Sequence, residues 1–202
     1  MAQENNQIIF EEKQENISKW VKVYDNFMPI EKLAKLIQFC NSDVCKEHWQ
    51  VGKVGDRGDG GHVRKETRVV DCLGLSNLAK SYTAVHYAWY LKNVITNLVR
   101  QYTKDTGAQI FDFRLHDIEV LRYGVGGKYE PHVDASLTYP RRVSIIMLLN
   151  NDYEGGELFF PGVGEIKIAP NRAIVWPSNY VYTHGVKPIT KGTRYSIVSW
   201  LL

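Results

Sequence analysis

From Ile110 onward the chain is a succession of short apolar segments cut by turn residues. DFRLHDIEVLRY, RVSIIMLL, ELFF, EIKI, RAIVW and RYSIVSWL are rich in β-branched, aromatic and aliphatic residues and read as strands. GVGG, NNDYEGG, PGVG, APN and PSN separate them, and Gly, Pro and Asn in such clusters favour turns. Many short strands joined by glycine-rich turns point to a sandwich or barrel, since each strand needs a second layer to cover its apolar face.

The upstream part has a different periodicity. Residues 1–18 form a polar tail or edge segment with one apolar patch at Ile8, Ile9 and Phe10. WVKVY at 20–24 alternates like a strand. PIEKLAKLIQFC at 29–40 repeats apolar residues at helical spacing, and Ile30, Leu33, Leu36, Ile37 and Cys40 form its expected buried stripe. Pro29 suits a first helical turn, where its missing N–H costs nothing. QVGKVGDRGDGGHV at 50–63 holds five glycines and is expected to be a mobile loop; it lacks the residue order of a phosphate-binding loop. Arg64 to Asp71 is expected to return as a strand toward Cys72 and Leu73. A long helix is expected over about 77–104, with Leu78, Val85, Trp89, Ile95 and Leu98 inward, a break near Lys92, and Gly107 as terminator. Helices first and strands later give a mainly β, α+β chain whose sheets are braced by N-terminal helices.

Composition enters where it excludes alternatives. At 202 residues the chain fits one domain, read as 19–202 with a core at about 112–202, and 44% apolar content excludes general disorder. Twenty-five basic and 22 acidic residues give +3, which supports no stable nucleic-acid partner. Cys40, Cys45 and Cys72 are too few and too unevenly spaced for a disulfide framework. Cys40, Cys45 and His48 with a fourth ligand could hold zinc, but reduced, partly buried thiols are the preferred reading. No run approaches the roughly 20 apolar residues of a membrane span, and the N-terminal sequence has no basic start or apolar signal core. The expectation is a cytoplasmic protein with no membrane association; oligomeric state is left open.

Among six histidines, His132 and His184 stand out. His132 lies two residues before Asp134, and in extended chain such residues face one side. His184 follows a strand-like segment and could meet them from elsewhere in the sheet. Two imidazoles and one carboxylate form the ligand set of a facial Fe(II) site with open positions, and the same set could hold catalytic zinc. His86 and His116 read as packed or surface residues.

With this set in order, the chain resembles the Fe(II)- and 2-oxoglutarate-dependent dioxygenases, particularly the prolyl-hydroxylase group. The matched order is Tyr123, His132-x-Asp134, GGELFFP at 155–161, Trp176, His184 and Arg194. The resemblance is weak over about Val23 to Leu202 and strong over Leu121 to Leu202. It implies a distorted double-stranded β-helix, the jelly roll of cupin-like proteins. It implies His132, Asp134 and His184 as iron ligands and Arg194 as the cation for the distal carboxylate of 2-oxoglutarate, a role suited to a planar guanidinium. Ser196, on the same strand face as Arg194, and Tyr123 would also contact the cosubstrate. Tyr129, Arg142 and Trp200 are candidate substrate contacts, and the 50–63 loop would close over the substrate. Arg141 and Arg142 at the rim could meet an acidic target. In GGELFFP, Gly155 and Gly156 serve backbone geometry, and Leu158 and Phe160 face the core.

The implied reaction consumes dioxygen, hydroxylates an unactivated C–H bond, and releases succinate and CO2, with ascorbate as a reductant. A protein or peptide is the expected substrate, first of all a peptidyl proline. A peptidyl lysine, a free amino acid, a methylated nucleic acid, or a non-catalytic β-sandwich binding module are the alternatives. One departure stands out. Some relatives bind the distal carboxylate with a tyrosine in the strand after His-x-Asp, and the matching position here falls near Leu148, which cannot donate a hydrogen bond.

Overall fold

A computed structural model describes residues 17–55, 61–110 and 112–202. The Ile8–Phe10 patch, nearly all of the 1–18 tail and the middle of the 50–63 loop lie outside the described residues. After a 3-10 turn at Ile17–Trp20 come β1 (Lys22–Asp25), α1 (Ile30–Cys40), α2 (Asp43–Lys46) and β2 (Gln50–Val51). They are followed by β3 (Arg68–Val69), β4 (Asp71–Gly74), a 3-10 turn at Leu75–Leu78 and α3 (Tyr82–Thr106). The strand-rich part comprises β5 (Leu115–Tyr123), β6 (Lys128–His132), β7 (Val143–Leu148), β8 (Glu154–Gly155) and β9 (Leu158–Phe160). It continues with β10 (Gly164–Glu165), β11 (Arg172–Pro177), β12 (His184–Val186), β13 (Ile189–Lys191) and β14 (Arg194–Leu201).

A major sheet runs β1-β11-β7-β14-β5-β4-β2, a minor sheet runs β10-β9-β12-β6-β3, and β13 pairs with β8. Every pairing is antiparallel. The fold is thus mixed, with large antiparallel sheets and N-terminal helices, as expected of a double-stranded β-helix. The segment 64–71 is not one strand. β3 joins the minor sheet and β4 the major sheet, so the chain crosses between layers at the buried Val70.

The major sheet is covered on both faces. Val143, Ile145 and Met147 of β7 point to one core with α1 and α3, whereas Ile146 and Leu148 point to a second core against Leu158, Phe160 and Val186. β14 divides likewise: Tyr195, Ile197 and Leu201 face the helices, and Val198 and Trp200 face the minor sheet. This double cover explains why RVSIIMLL and RYSIVSWL read as apolar runs rather than alternations. Each fully buried Ile, Leu or Val contributes about 1.5–3 kcal/mol.

The helices depart in detail from the periodicity reading. α3 is continuous through Lys92 and stops at Gly107, whose φ of 72° is the left-handed conformation that glycine accepts readily. Its buried stripe is Ala84, Tyr87, Leu91, Ile95, Leu98, Val99 and Tyr102. Val85 and Trp89 are exposed instead. In α1, Leu33, Leu36 and Cys40 are buried as expected, but Ile30 in the first turn is exposed. Pro29 sits at the N-cap, one residue before the first helical turn. EIKI yields only the end of β10, while Leu158 and Phe160 are core residues and Phe159 faces away. Gly155 and Gly156 adopt φ of 75° and 73°, and a Cβ on either would collide, with the Pro188 carbonyl oxygen and the Ile189 side chain respectively. Among the described residues no helix is long and apolar enough to cross a membrane.

Candidate metal centre

The mouth of the site forms where β6 ends and β12 begins. His184 is the register partner of His132 across these two antiparallel strands, and their ring centroids stand 4.4 Å apart. Asp134 lies just beyond the end of β6, so a bend, not the two-residue strand period, turns its carboxylate toward the histidines. His132 Nε2 is 3.6 Å from Asp134 Oδ1, and His184 Nε2 is 3.5 Å from Asp134 Oδ2. The three ligand atoms lie within 4.8 Å of one another, the single such cluster among the described residues.

Both rings are anchored from behind. His132 Nδ1 lies 2.9 Å from the Glu130 carbonyl oxygen, and His184 Nδ1 lies 3.0 Å from that of Tyr182. A carbonyl can only accept, so each Nδ1 carries a hydrogen and each Nε2 faces inward. Trp176 meets the His184 ring edge-on at 4.8 Å. Burial, aided by His132, holds the His184 pKa down at about 4 even though Asp134 opposes this, so the imidazole is neutral near neutral pH. For Asp134, burial favours the neutral acid, but hydrogen bonding and charge from the two histidines and the Ser144 hydroxyl outweigh it, leaving the carboxylate ionised. Ser144 Oγ donates to Asp134 Oδ2 at 2.6 Å and lies 2.7 Å from Ser178 Oγ. A neutral His184 imidazole and an ionised, hydrogen-bonded Asp134 carboxylate are forms in which these groups can bind a divalent metal.

The triad lines a cavity of about 520 Å³, within the usual range for small-ligand sites. Tyr123, Tyr129 and Trp200 also line it. Tyr129 stacks on His132 with centroids 3.5 Å apart, and the Arg68 guanidinium lies over the Tyr129 ring, 4.7 Å from its centre. The parts of the 50–63 segment that flank the undescribed residues, including Gln50, Lys53 and Gly61, stand at the cavity rim. This segment is not loop throughout, because β2 pairs with β4 and Val54 bridges to His62.

Arg194 is fully buried one layer back, with its guanidinium 5.0 Å from the centre of the Tyr123 ring. Its Nη1 donates to Ser196 Oγ at 2.9 Å, so Ser196 holds the arginine in place. Arg142 is placed differently from the sequence reading. Its Nη2 donates to the carbonyls of Asp112 and Leu202, both at 2.8 Å, and it does not line the cavity. Arg141 does, with its guanidinium 3.6 Å from the centre of the Trp200 ring.

Several residues of the site escaped the sequence reading. Ser144 and Ser178 signalled themselves only as polar residues beside apolar strands. Arg68 and Glu119 gave no signal, yet both line the cavity. All three cysteines are free; Cys40 and Cys45 are buried with α1 and α2, and Cys72 is at the cavity wall. Burial pushes the Cys72 thiol up to about 11 despite the nearby Arg68.

Comparison with known proteins bears on this centre directly. Residues 118–202 match the family model described as the 2OG-Fe(II) oxygenase superfamily. A PKHD-type hydroxylase of Gloeothece citriformis is 36% identical over 97 residues, which covers 44% of this chain and 43% of that protein. The chain thus aligns with less than half the length of the curated relatives it matches. Among solved structures, a Trichoplax adhaerens prolyl hydroxylase, in complex with a hypoxia inducible factor oxygen degradation domain peptide, aligns with a TM-score of 0.67 at 17% identity. That alignment covers 92% of this chain and 84% of the other. A viral collagen prolyl hydroxylase from Paramecium Bursaria Chlorella virus-1, in complex with 2OG, aligns with a TM-score of 0.60 at 16% identity, covering 93% and 98%. At such identities the structures testify to the fold.

Proposed function

We propose, from the match of residues 118–202 to the 2OG-Fe(II) oxygenase superfamily model, that the protein is an Fe(II)- and 2-oxoglutarate-dependent dioxygenase that hydroxylates a peptidyl proline. The observation that carries this reading is the convergence of two imidazole Nε2 atoms and a carboxylate at one cavity.

The residues fit the implied groups. His132, Asp134 and His184 would hold a divalent metal through three protein ligands, a set suited to redox iron. Arg194, buried and with its Nε and Nη2 unspent on protein acceptors, suits a carboxylate. When bound, iron and 2-oxoglutarate supply the oxidising power that side chains lack, with dioxygen consumed and succinate and CO2 released. The chain itself supplies position and environment. Ser144 holds Asp134, the Glu130 and Tyr182 carbonyls fix the two imidazoles, and Trp176 and Phe160 shield His184. No nucleophilic side chain is required.

The proline assignment is supported by the flat aromatic walls of the cavity, Tyr129, Tyr139 and Trp200, which suit an apolar ring. It is also supported by the prolyl hydroxylases among the structural neighbours. Tyr129 and Trp200 are the proposed substrate contacts, with Arg141 in place of Arg142, and Tyr123 is proposed to touch the cosubstrate. The test is incubation with candidate peptides, Fe(II), 2-oxoglutarate and labelled dioxygen. Succinate should form, and residue-level mass spectrometry should find one labelled oxygen on proline. Label only on lysine would overturn the proline assignment; no succinate with any peptide and no 2-oxoglutarate binding would overturn the oxygenase assignment.

A further inference from the structure

Leu148 brings no hydroxyl to the surroundings of the buried Arg194. It sits beside Ser196 in the β7–β14 register, but its side chain offers only methyl groups. The fold brings another hydroxyl to the same region. Tyr153, in the turn between β7 and β8, is 7% exposed, and its side chain packs in the core between the two sheets.

Tyr153 and Arg194 come together around Gly156. A Cβ built on Gly156 would lie 3.2 Å from Arg194 Cδ and 3.4 Å from Tyr153 Cε2. The two side chains thus flank one backbone position, where a side chain would also collide with Ile189. Both side chains keep buried donors unspent. The Tyr153 hydroxyl and the Arg194 Nε and Nη2 have no protein acceptor among the described residues; Arg194 neighbours the phenol oxygen but can only donate to it. A single unsatisfied buried donor is destabilising, and three from two adjoining residues are a surplus of positive hydrogen-bonding capacity. Ser196 cannot absorb the surplus as an acceptor, because its oxygen already receives Arg194 Nη1. Nor does a nearby carboxylate of the chain complete the set, since the ion pairs among the described residues all lie elsewhere. Burial raises the Tyr153 pKa while Arg194 opposes the rise, which is consistent with a neutral phenol close to the guanidinium.

We propose that Tyr153 donates a hydrogen bond to the carboxylate that Arg194 binds, and so supplies from the β7–β8 turn the hydroxyl that Leu148 cannot. This rests on the proposed use of 2-oxoglutarate, whose distal carboxylate is the ligand. The carboxylate's oxygens accept from Arg194 and from Tyr153, with Tyr123 forming the cavity wall against which the guanidinium lies. Tyr153 thereby becomes a residue that selects a dicarboxylate over a 2-oxo acid without the second carboxylate.

The experiment compares the full chain with Tyr153→Phe, both loaded with Mn(II), by calorimetric titration with 2-oxoglutarate and with 2-oxobutanoate. The second probe keeps the keto-acid end and lacks the distal carboxylate. The variant should bind 2-oxoglutarate about tenfold more weakly, as expected for one lost hydrogen bond to a charged group, and bind 2-oxobutanoate as the wild type does. Its thermal midpoint without ligand should be unchanged or higher, because an unsatisfied buried hydroxyl has gone. Equal 2-oxoglutarate affinity in both proteins, or the same loss for both probes, would overturn the role of Tyr153 and leave the cosubstrate reading standing. A wild type that takes up Mn(II) but binds neither probe would overturn the cosubstrate reading itself, and this inference with it.

Discussion

At the scale of single residues, the proposed metal site depends on groups that never touch the metal position. Ser144 is the clearest case, because its hydroxyl points the Asp134 carboxylate at the two imidazoles. Ser144→Ala should leave the fold intact and weaken Mn(II) binding by roughly 10–100-fold, the usual effect of losing such a support. Asp134→Ala should abolish binding in the same paramagnetic-resonance titration; a Ser144→Ala variant that binds as tightly as wild type would refute the support. The proposed ligands, His132, Asp134 and His184, stood out in sequence because imidazole and carboxylate are metal-binding groups. Ser144 was not, since a serine within an apolar strand says nothing about what lies opposite. Arg141 and Arg142 show the same limit. The two-residue period of β7, carried backward, favours Arg142 on the cavity side with Ser144 and Ile146. The chain before Val143 is not strand, and there it turns Arg141 to the cavity and Arg142 to the carbonyls of Asp112 and Leu202.

At the scale of elements, strand existence was readable and strand pairing was not. β1 edges the major sheet through β11, two elements far apart in sequence, and Arg172 fastens them by donating to both Asp25 oxygens at 2.7 and 2.9 Å. The Arg172 hydrogen bonds hold the Asp25 pKa below its ordinary value. A carboxylate depressed on folding adds stability above its unfolded pKa, near 3.9, and loses it as pH falls through the lower folded value. Asp25 is half exposed, so the gain is at most about 1 kcal/mol. Asp25→Asn should therefore be less stable than wild type by up to that amount at neutral pH, and urea midpoints should converge as pH falls toward about 3. A gap independent of pH would assign the effect to packing. For α3, periodicity gave a helix and its glycine stop but chose the wrong face in the first turns. Val85 and Trp89 are apolar yet face outward, because Ala84, Tyr87 and Leu91 take the core side, Tyr87 against Phe39 of α1, and hydropathy alone cannot tell which side the neighbours will take.

At the scale of the whole molecule, the metal centre ties the two sheets' cores to one set of ligands. His132 and His184 belong to the minor sheet, and Asp134 is held by Ser144 of the major sheet. A metal that binds only the folded chain stabilises it by mass action, about 2.7 kcal/mol at a hundredfold excess over Kd. For a chain of this size that is a rise of roughly 5–10 °C in thermal midpoint. Calorimetric scanning with Mn(II) should show the rise, a chelator should reverse it, and Asp134→Ala should abolish it; an equal rise in that variant would place the metal elsewhere. The sequence by itself determined the helix-then-strand order, the ligand chemistry and the family resemblance, because these reside in residue type, period and spacing along the chain. Only the tertiary structure decided that His184 opposes His132 across two strands, that Arg141 rather than Arg142 reaches the cavity, and that Tyr153 meets Arg194 over Gly156. Each of these contacts joins segments whose separation in space is set by sheet register and turn geometry, and neither is encoded in any local stretch of residues.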